Sequence, residues 1–121
     1  MTELTPAAVV QRQLDAYNQR NLDALLATYG DQACQYEHPA TLAAQGAAQI
    51  RERMSLRFQE PDLHARLVQR AVMGNIVIDQ EVVTRNFPEG RGEVDVVAIY
   101  EVIDGKINSA SVQVANQRLH G

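Results

Sequence analysis

The chain predicts an α+β fold, with three short N-terminal helices packed on a strongly curved, mainly antiparallel sheet that encloses a pocket. Three observations carry that expectation. Apolar residues in the first half recur at helical spacing. From Leu63 the period changes to two. Tight turn signals, Gly74-Asn75 and Asp104-Gly105, then join long β-branched runs, and strands so joined are antiparallel neighbours. One such sheet with helices on one face is an α+β arrangement.

The elements follow in order. Thr5-Pro6 reads as an N-cap followed by proline at the first helical position. Val10, Leu14 and Tyr17 then fall at i, i+4, i+7, an amphipathic helix ending near Arg20. Asn21 caps a second helix that gathers Leu22, Leu25, Leu26 and Tyr29 on one face, with Gly30 as its stop. Residues 33–38 form a short strand, and 39–46 form an alanine-rich loop closed by Gly46. A third helix spans about 47–59, with Ile50, Met54 and Phe58 in line and Arg51, Arg53 and Arg57 off that line as a solvated face; Pro61 ends it. In the next strand, Leu63, Ala65, Leu67, Ala71 and Met73 alternate with His64, Arg66 and Arg70, giving one buried face. Residues 76–87 form a second long strand, broken by Pro88-Glu89-Gly90-Arg91-Gly92. Residues 93–103 and 106–115 complete the meander.

Composition bounds the function. A chain of 121 residues, 45% hydrophobic and 21% charged, suits one globular domain over residues 1–121. The net charge of −4 argues against nucleic acid or an anionic membrane as partner, since both need a basic stripe. Cys34 is the single cysteine, which excludes an internal disulfide and a cysteine-only metal cluster. No apolar run approaches the roughly 20 residues needed to cross a bilayer. Residues 1–10 lack a basic start and apolar stretch, so a cytoplasmic protein is expected. His64 and His120 show no ligand spacing with each other or with Cys34, so no metal is expected. No phosphate loop or nucleophile elbow is present, and no cofactor is expected.

The candidate chemistry centres on Tyr36-Glu37-His38-Pro39. The proline restrains His38 to an extended backbone at the end of the first strand, where its imidazole faces a cavity covered by helices. On the strand 76–87, Asp79, Glu81, Val83 and Arg85 share one face. That face is either the pocket side or the outer side, because Ile76, Ile78 and Val82 make the opposite face equally apolar.

The chain resembles the NTF2-like superfamily, nearest its SnoaL-like and ketosteroid isomerase-like group. The residues that carry the likeness are Val9-Val10-Gln11-Arg12, Asn21-Leu22-Asp23-Ala24-Leu25, Tyr36-Glu37-His38-Pro39, Gly46-Ala47-Ala48-Gln49-Ile50-Arg51, and Tyr100-Glu101-Val102 before Asp104-Gly105-Lys106-Ile107. Together they cover about residues 5–115. The resemblance implies a cone-shaped α+β shell with a small-molecule pocket. It also places His38 where the isomerases carry a proton-shuttling carboxylate before a proline, and an imidazole can act as acid or base near neutral pH. The family's oxyanion-binding tyrosine falls at Gln13, and its protonated aspartic acid at Ala98. Both acidic donors are thus replaced, leaving Gln13, Arg85 or Tyr100 to hold an oxyanion.

The expected site is therefore His38 as general acid/base, oriented by Glu81, with Arg85 holding an anionic oxygen. Gln13, Tyr17, Met54, Phe58, Ala98 and Tyr100 contact the substrate. The expected partner is a small apolar molecule with a polar group, here a carbonyl, and the reaction an isomerisation or lyase step that begins with proton abstraction. The alternatives are a non-catalytic binder with the same pocket and a dimerisation domain with a filled core. The strand 93–103 is apolar on both parities, through Val94, Val96, Ala98 and Tyr100 on one and Val97 and Ile99 on the other. Such a strand wants cover on both faces, so a homodimer through the outer sheet face is expected.

Overall fold

In the computed structural model, residues 4–120 are described. Residues 1–3, which open the segment read above for a leader, and residue 121 lie outside them. Nine elements follow one another: α1 (Pro6–Gln19), α2 (Leu22–Leu26), β1 (Tyr29–Glu37), β2 (Thr41–Gln45), α3 (Gly46–Arg57), β3 (His64–Met73), β4 (Ile76–Phe87), β5 (Gly90–Ile103) and β6 (Lys106–Leu119). The strands form one open sheet in the order β2-β1-β6-β5-β4-β3. No described helix is long and apolar enough to cross a membrane.

Local chemistry sets the helix ends. The Thr5 hydroxyl accepts from the Ala8 N–H at 3.2 Å, and Pro6 occupies the first turn, where no N–H is needed. The Asn21 side chain accepts from the Ala24 N–H at 3.1 Å and starts α2. That helix is five residues long and stops short of Gly30. Tyr29 is not its last apolar residue but the first of β1, where it pairs with Ile107 of β6. Tertiary pairing thus overrides the apolar spacing that extended the helix in sequence.

Two further features depart from the sequence reading. The loop expected at 39–46 contains β2, which pairs antiparallel with β1 through Gln35↔Ala44 and Tyr36↔Leu42. Five residues of mostly small side chains carry too little β signal to announce an edge strand. In β3, the register shifts between Leu67 and Gln69. An inserted residue reverses the alternation beyond it. Ala65 is therefore buried, whereas Ala71 and Met73 are exposed and Arg70 turns to the helix side.

The meander β3-β4-β5-β6 is antiparallel throughout, and β1 joins β6 in parallel. Val77, Asp79, Glu81 and Val83 of β4 are buried, as are Val94, Val96, Ala98, Tyr100 and Val102 of β5. This settles the face left open by the sequence: the Glu81 and Arg85 side of β4 faces the helices. The core closes one end of the shell, with Val9, Val10, Leu25, Ile50, Val77 and Ile107 nearly inaccessible. A second cluster of Leu14, Leu63, Ala65, Val83, Val94 and Val96 lies along the other half of the sheet.

Candidate small-molecule pocket

Between these clusters the shell stays hollow. A cavity of about 400 Å³ is lined by α1, β1, α3, β3, β4, β5 and β6. Its apolar wall comes from the inner parity of the sheet, including Val83, Val94, Val96, Val112 and Val114. A volume of this size, with an apolar wall on the sheet facing a polar and charged one, suits a small organic ligand.

The acidic wall is built on β4. Asp79 is fully buried and is held by Arg70 in a two-point pair, Nε to Oδ1 at 2.7 Å and a terminal NH₂ to Oδ2 at 2.9 Å. The other terminal nitrogen of Arg70 donates to Gln11 Oε1 at 2.9 Å. The bulge in β3 is what aims Arg70 at this aspartate. Two residues along β4, Glu81 has no such partner among the described residues. Burial pushes its carboxyl up to about 7, the Asp79 charge adds to the rise, and Arg70 opposes it. A cavity carboxyl near neutral pKa can both take and return a proton.

Two hydrogen-bond chains line the rest. The Tyr100 hydroxyl donates to Gln13 Oε1 at 3.3 Å, and burial raises the phenol well above its ordinary value. In the second chain, Arg53 donates to Gln35 Oε1 at 2.8 Å, and Gln35 Nε2 donates to the Tyr29 hydroxyl oxygen at 3.3 Å. Tyr29 is thereby an acceptor of one bond and keeps its own O–H to donate. Burial lifts its pKa to about 12, and Gln35 and Arg53 resist that rise. A donor polarised through an amide from a cation is suited to a developing negative oxygen.

The expected site residues divide as follows. Gln13, Tyr17, Met54, Glu81, Arg85, Ala98, Tyr100 and His38 all line the cavity. Gln13 is buried, not a surface residue of the helix. His38 stands at the exposed mouth, in the turn after β1; its N–H bonds Val112 O at 2.9 Å, and its peptide to Pro39 is cis. Among the described residues no hydrogen bond or ion pair joins His38 to Glu81. Arg85 faces the cavity but is already held by Glu60, Nε to Oε1 and NH₂ to Oε2, both at 2.8 Å. Phe58 is placed differently from expectation. It lies behind Tyr17 in an edge-on contact with ring centroids 5.7 Å apart and is not part of the wall.

The structure adds residues the sequence reading passed over. Tyr29, Gln35 and Glu37 reach the cavity from β1, and Arg53 and Arg57 from α3. The two arginines belong to the wall and not to a solvated helix face. The signal was available in the helix itself: Arg53 and Arg57 flank Met54 and lie one turn apart. Among the described residues, no group of three or more His, Cys, Asp and Glu side chains is arranged to hold a metal ion.

A family model for the SnoaL-like domain matches residues 10–110. No curated protein sequence matches the chain. Among solved structures, a cystatin fold protein from Novosphingobium aromaticivorans superposes with a TM-score of 0.84 at 23% identity, covering 90% of this chain and 97% of that one. A protein of ketosteroid isomerase-like fold from Catenulispora acidiphila, in complex with trimethylamine, gives 0.76 at 16%, covering 90% and 85%. An LEH-like epoxide hydrolase of M. tuberculosis gives 0.76 at 16%, covering 91% and 82%. At these identities the likeness concerns the fold. The helix-covered, hollow sheet and the match over most of its length together make the chain a member of the SnoaL-like domain family, with the NTF2-like, ketosteroid isomerase-like fold.

Proposed function

We propose that the protein binds a small, largely apolar carbonyl compound and moves a proton on it, as an isomerase or lyase does, with Glu81 as the general acid/base. The observation that carries this reading is the Glu81 carboxyl, buried on the wall of the cavity without an ion-pair partner among the described residues and pushed up to about 7. In the proposed step Glu81 takes the proton from the carbon beside the carbonyl. The electron pair moves onto the carbonyl oxygen, and the Tyr29 O–H donates to that oxygen. Return of the proton to another carbon completes an isomerisation; its delivery from Glu81 to a hydroxyl on the next carbon, which leaves as water as the enolate electrons form the C=C bond, completes a dehydration. His38 lines the exposed mouth of the same cavity, and Glu81, deeper in the wall, is proposed in its place as the base that meets the substrate. The reaction needs no cofactor.

A second reading, a binder without turnover, is favoured by one specific feature. Arg85 and the Tyr100 hydroxyl are already engaged, with Glu60 and Gln13. Deuterium exchange at carbon beside the carbonyl separates the two, followed by NMR in D₂O with cyclic ketones and β-keto esters. Catalysed exchange should fall about 100-fold or more in Glu81→Gln with ligand binding retained, and only a few-fold in His38→Ala. Unchanged exchange in Glu81→Gln rejects Glu81 as base. Binding with no exchange in the wild type selects the second reading.

We also propose a twofold dimer through the outer face of β4, β5 and β6, supported by the exposed or half-buried Ile78, Val97 and Ile99 on that face. The cytoplasm is the proposed setting.

A further inference from the structure

We propose that the ligand of this cavity is an organic acid whose carboxylate is received by Arg53 and Arg57. The proposal rests on the small-molecule reading above and names the substrate class.

Residues four apart on a helix share a face and lie within reach of one another, and like charges in that relation repel. Arg53 and Arg57 hold this relation with both side chains on the cavity wall. Both are half-buried, so each also gives up part of its hydration. Burial, and next the charge of Arg57, lower the pKa of Arg53 from its ordinary value. Such a pair needs a counter-ion.

The protein supplies too little negative charge here. Arg51, on the outward face of the same helix, takes Asp23 at 2.9 Å. On the cavity side, Glu60 is occupied. It holds Arg85 at two points and accepts from the Asn86 N–H at 2.8 Å, and it approaches Arg57 only at 3.7 Å. The hydrogen-bond partner of Arg53 among the described residues is the neutral Gln35. Glu60 therefore serves Arg85 and, at longer range, Arg57, while Arg53 has no carboxylate at ion-pair distance among the described residues. The two other acids on the wall do not make up the difference. Glu37, exposed at the mouth, opposes the lowering of the Arg53 pKa without reversing it, and Glu81 forms no ion pair with any arginine among the described residues.

A ligand carboxylate fits the deficit. Guanidinium edges bind carboxylates through paired N–H···O bonds, and they do so best where water is excluded. The NH1 of Arg53 is spent on Gln35, which leaves its remaining N–H groups available. The rest of the molecule would lie against Val83, Val94, Val96 and Val114. The inferred ligand thus has an anionic head, an apolar body and a volume within the cavity of about 400 Å³.

Calorimetric titration with cyclohexanecarboxylate and 3-phenylpropanoate, each beside its methyl ester, tests the proposal at neutral pH. The acids should bind at least about tenfold more tightly than the esters, since hydrogen bonds to charged groups are the strong ones. Arg53→Met and Arg57→Met should each weaken acid binding about tenfold while leaving the esters unchanged, and Arg51→Met should change neither. Arg53→Met also breaks the contact with Gln35. Arg57→Met, which does not, decides the matter if the first variant fails to fold, with unliganded melting as the control. Esters that bind as well as acids, acids that bind Arg57→Met as well as wild type, or acids that do not bind at all would each overturn it. Acid-selective binding that persists without any proton exchange would leave this proposal standing and remove only the proton-transfer reading.

Discussion

Glu81 owes its chemistry and its cost to the same surroundings. Its carboxyl moves from an ordinary 4.5 to about 7, chiefly because the charged form is buried. In the unfolded chain the group loses its proton near the ordinary value, whereas the native state keeps it until near neutrality. Between these values the native state binds more protons, so stability falls as pH rises and levels off above about 7. The full difference is roughly 3 kcal/mol. Glu81→Gln should therefore unfold at higher urea than wild type at mildly alkaline pH, and the two should converge toward pH 4. A variant whose urea midpoint tracks wild type across that range would contradict the shift. Asp79, two residues earlier, shows the opposite solution to burial, because the Arg70 fork satisfies both of its oxygens. Loss of one partner from such a pair leaves an uncompensated buried charge. Both residues were visible as one face of a strand. Their different roles were not, because Arg70 reaches Asp79 only through the register shift at Leu67/Gln69.

At the scale of elements, the hollow depends on how α1 is held over the free edge of β3. Asn18 does this with one amide. Its Nδ2 donates to Ala65 O at 2.9 Å, and its Oδ1 accepts from the Ala65 N–H at 2.8 Å. The side chain thus takes the place of a neighbouring strand on the sheet edge. Arg20 adds a clamp at the end of the same helix, donating to Glu60 O at 2.9 Å and Pro61 O at 2.6 Å. Asn18→Ala should lower stability by about 1–3 kcal/mol, since it strands two part-buried backbone groups. Hydrogen exchange at the Ala65 amide should quicken selectively; unchanged protection there would show that the contact is not what covers the edge. The caps of α1 and α2 were legible in Thr5-Pro6 and Asn21 because capping acts within one turn. The five-residue extent of α2 and the existence of β2 were not, since both are set by pairing with chain far away.

For the whole molecule, the sheet has one face under helices and one without. The bare face carries Ile78, Ile99 and Val97 at its middle, and beyond them Arg118 bridges Glu93 and Asp95 at 2.9 Å each. An apolar centre with a charged rim is the anatomy of an interface between folded subunits. Light scattering should accordingly give twice the 13.4 kDa chain mass, and Val97→Arg should return it to the monomer value without loss of the pocket. A wild-type protein that scatters as a monomer at all concentrations would remove the dimer. The sequence by itself determined the class of fold, because alternation, helical spacing and turn dipeptides are local and repeat along the chain. It also determined most of the inward residues of β4 and β5, since strand parity carries along a strand wherever no residue is inserted, as one is in β3. Only the tertiary structure decided which parity faced the helices. It also decided that Glu60 would capture Arg85, that His38 would stand at the mouth, and that Arg53 and Arg57 would turn into the cavity. Those outcomes depend on charges and edges from elements remote in sequence, and no local pattern encodes how a distant carboxylate will be shared.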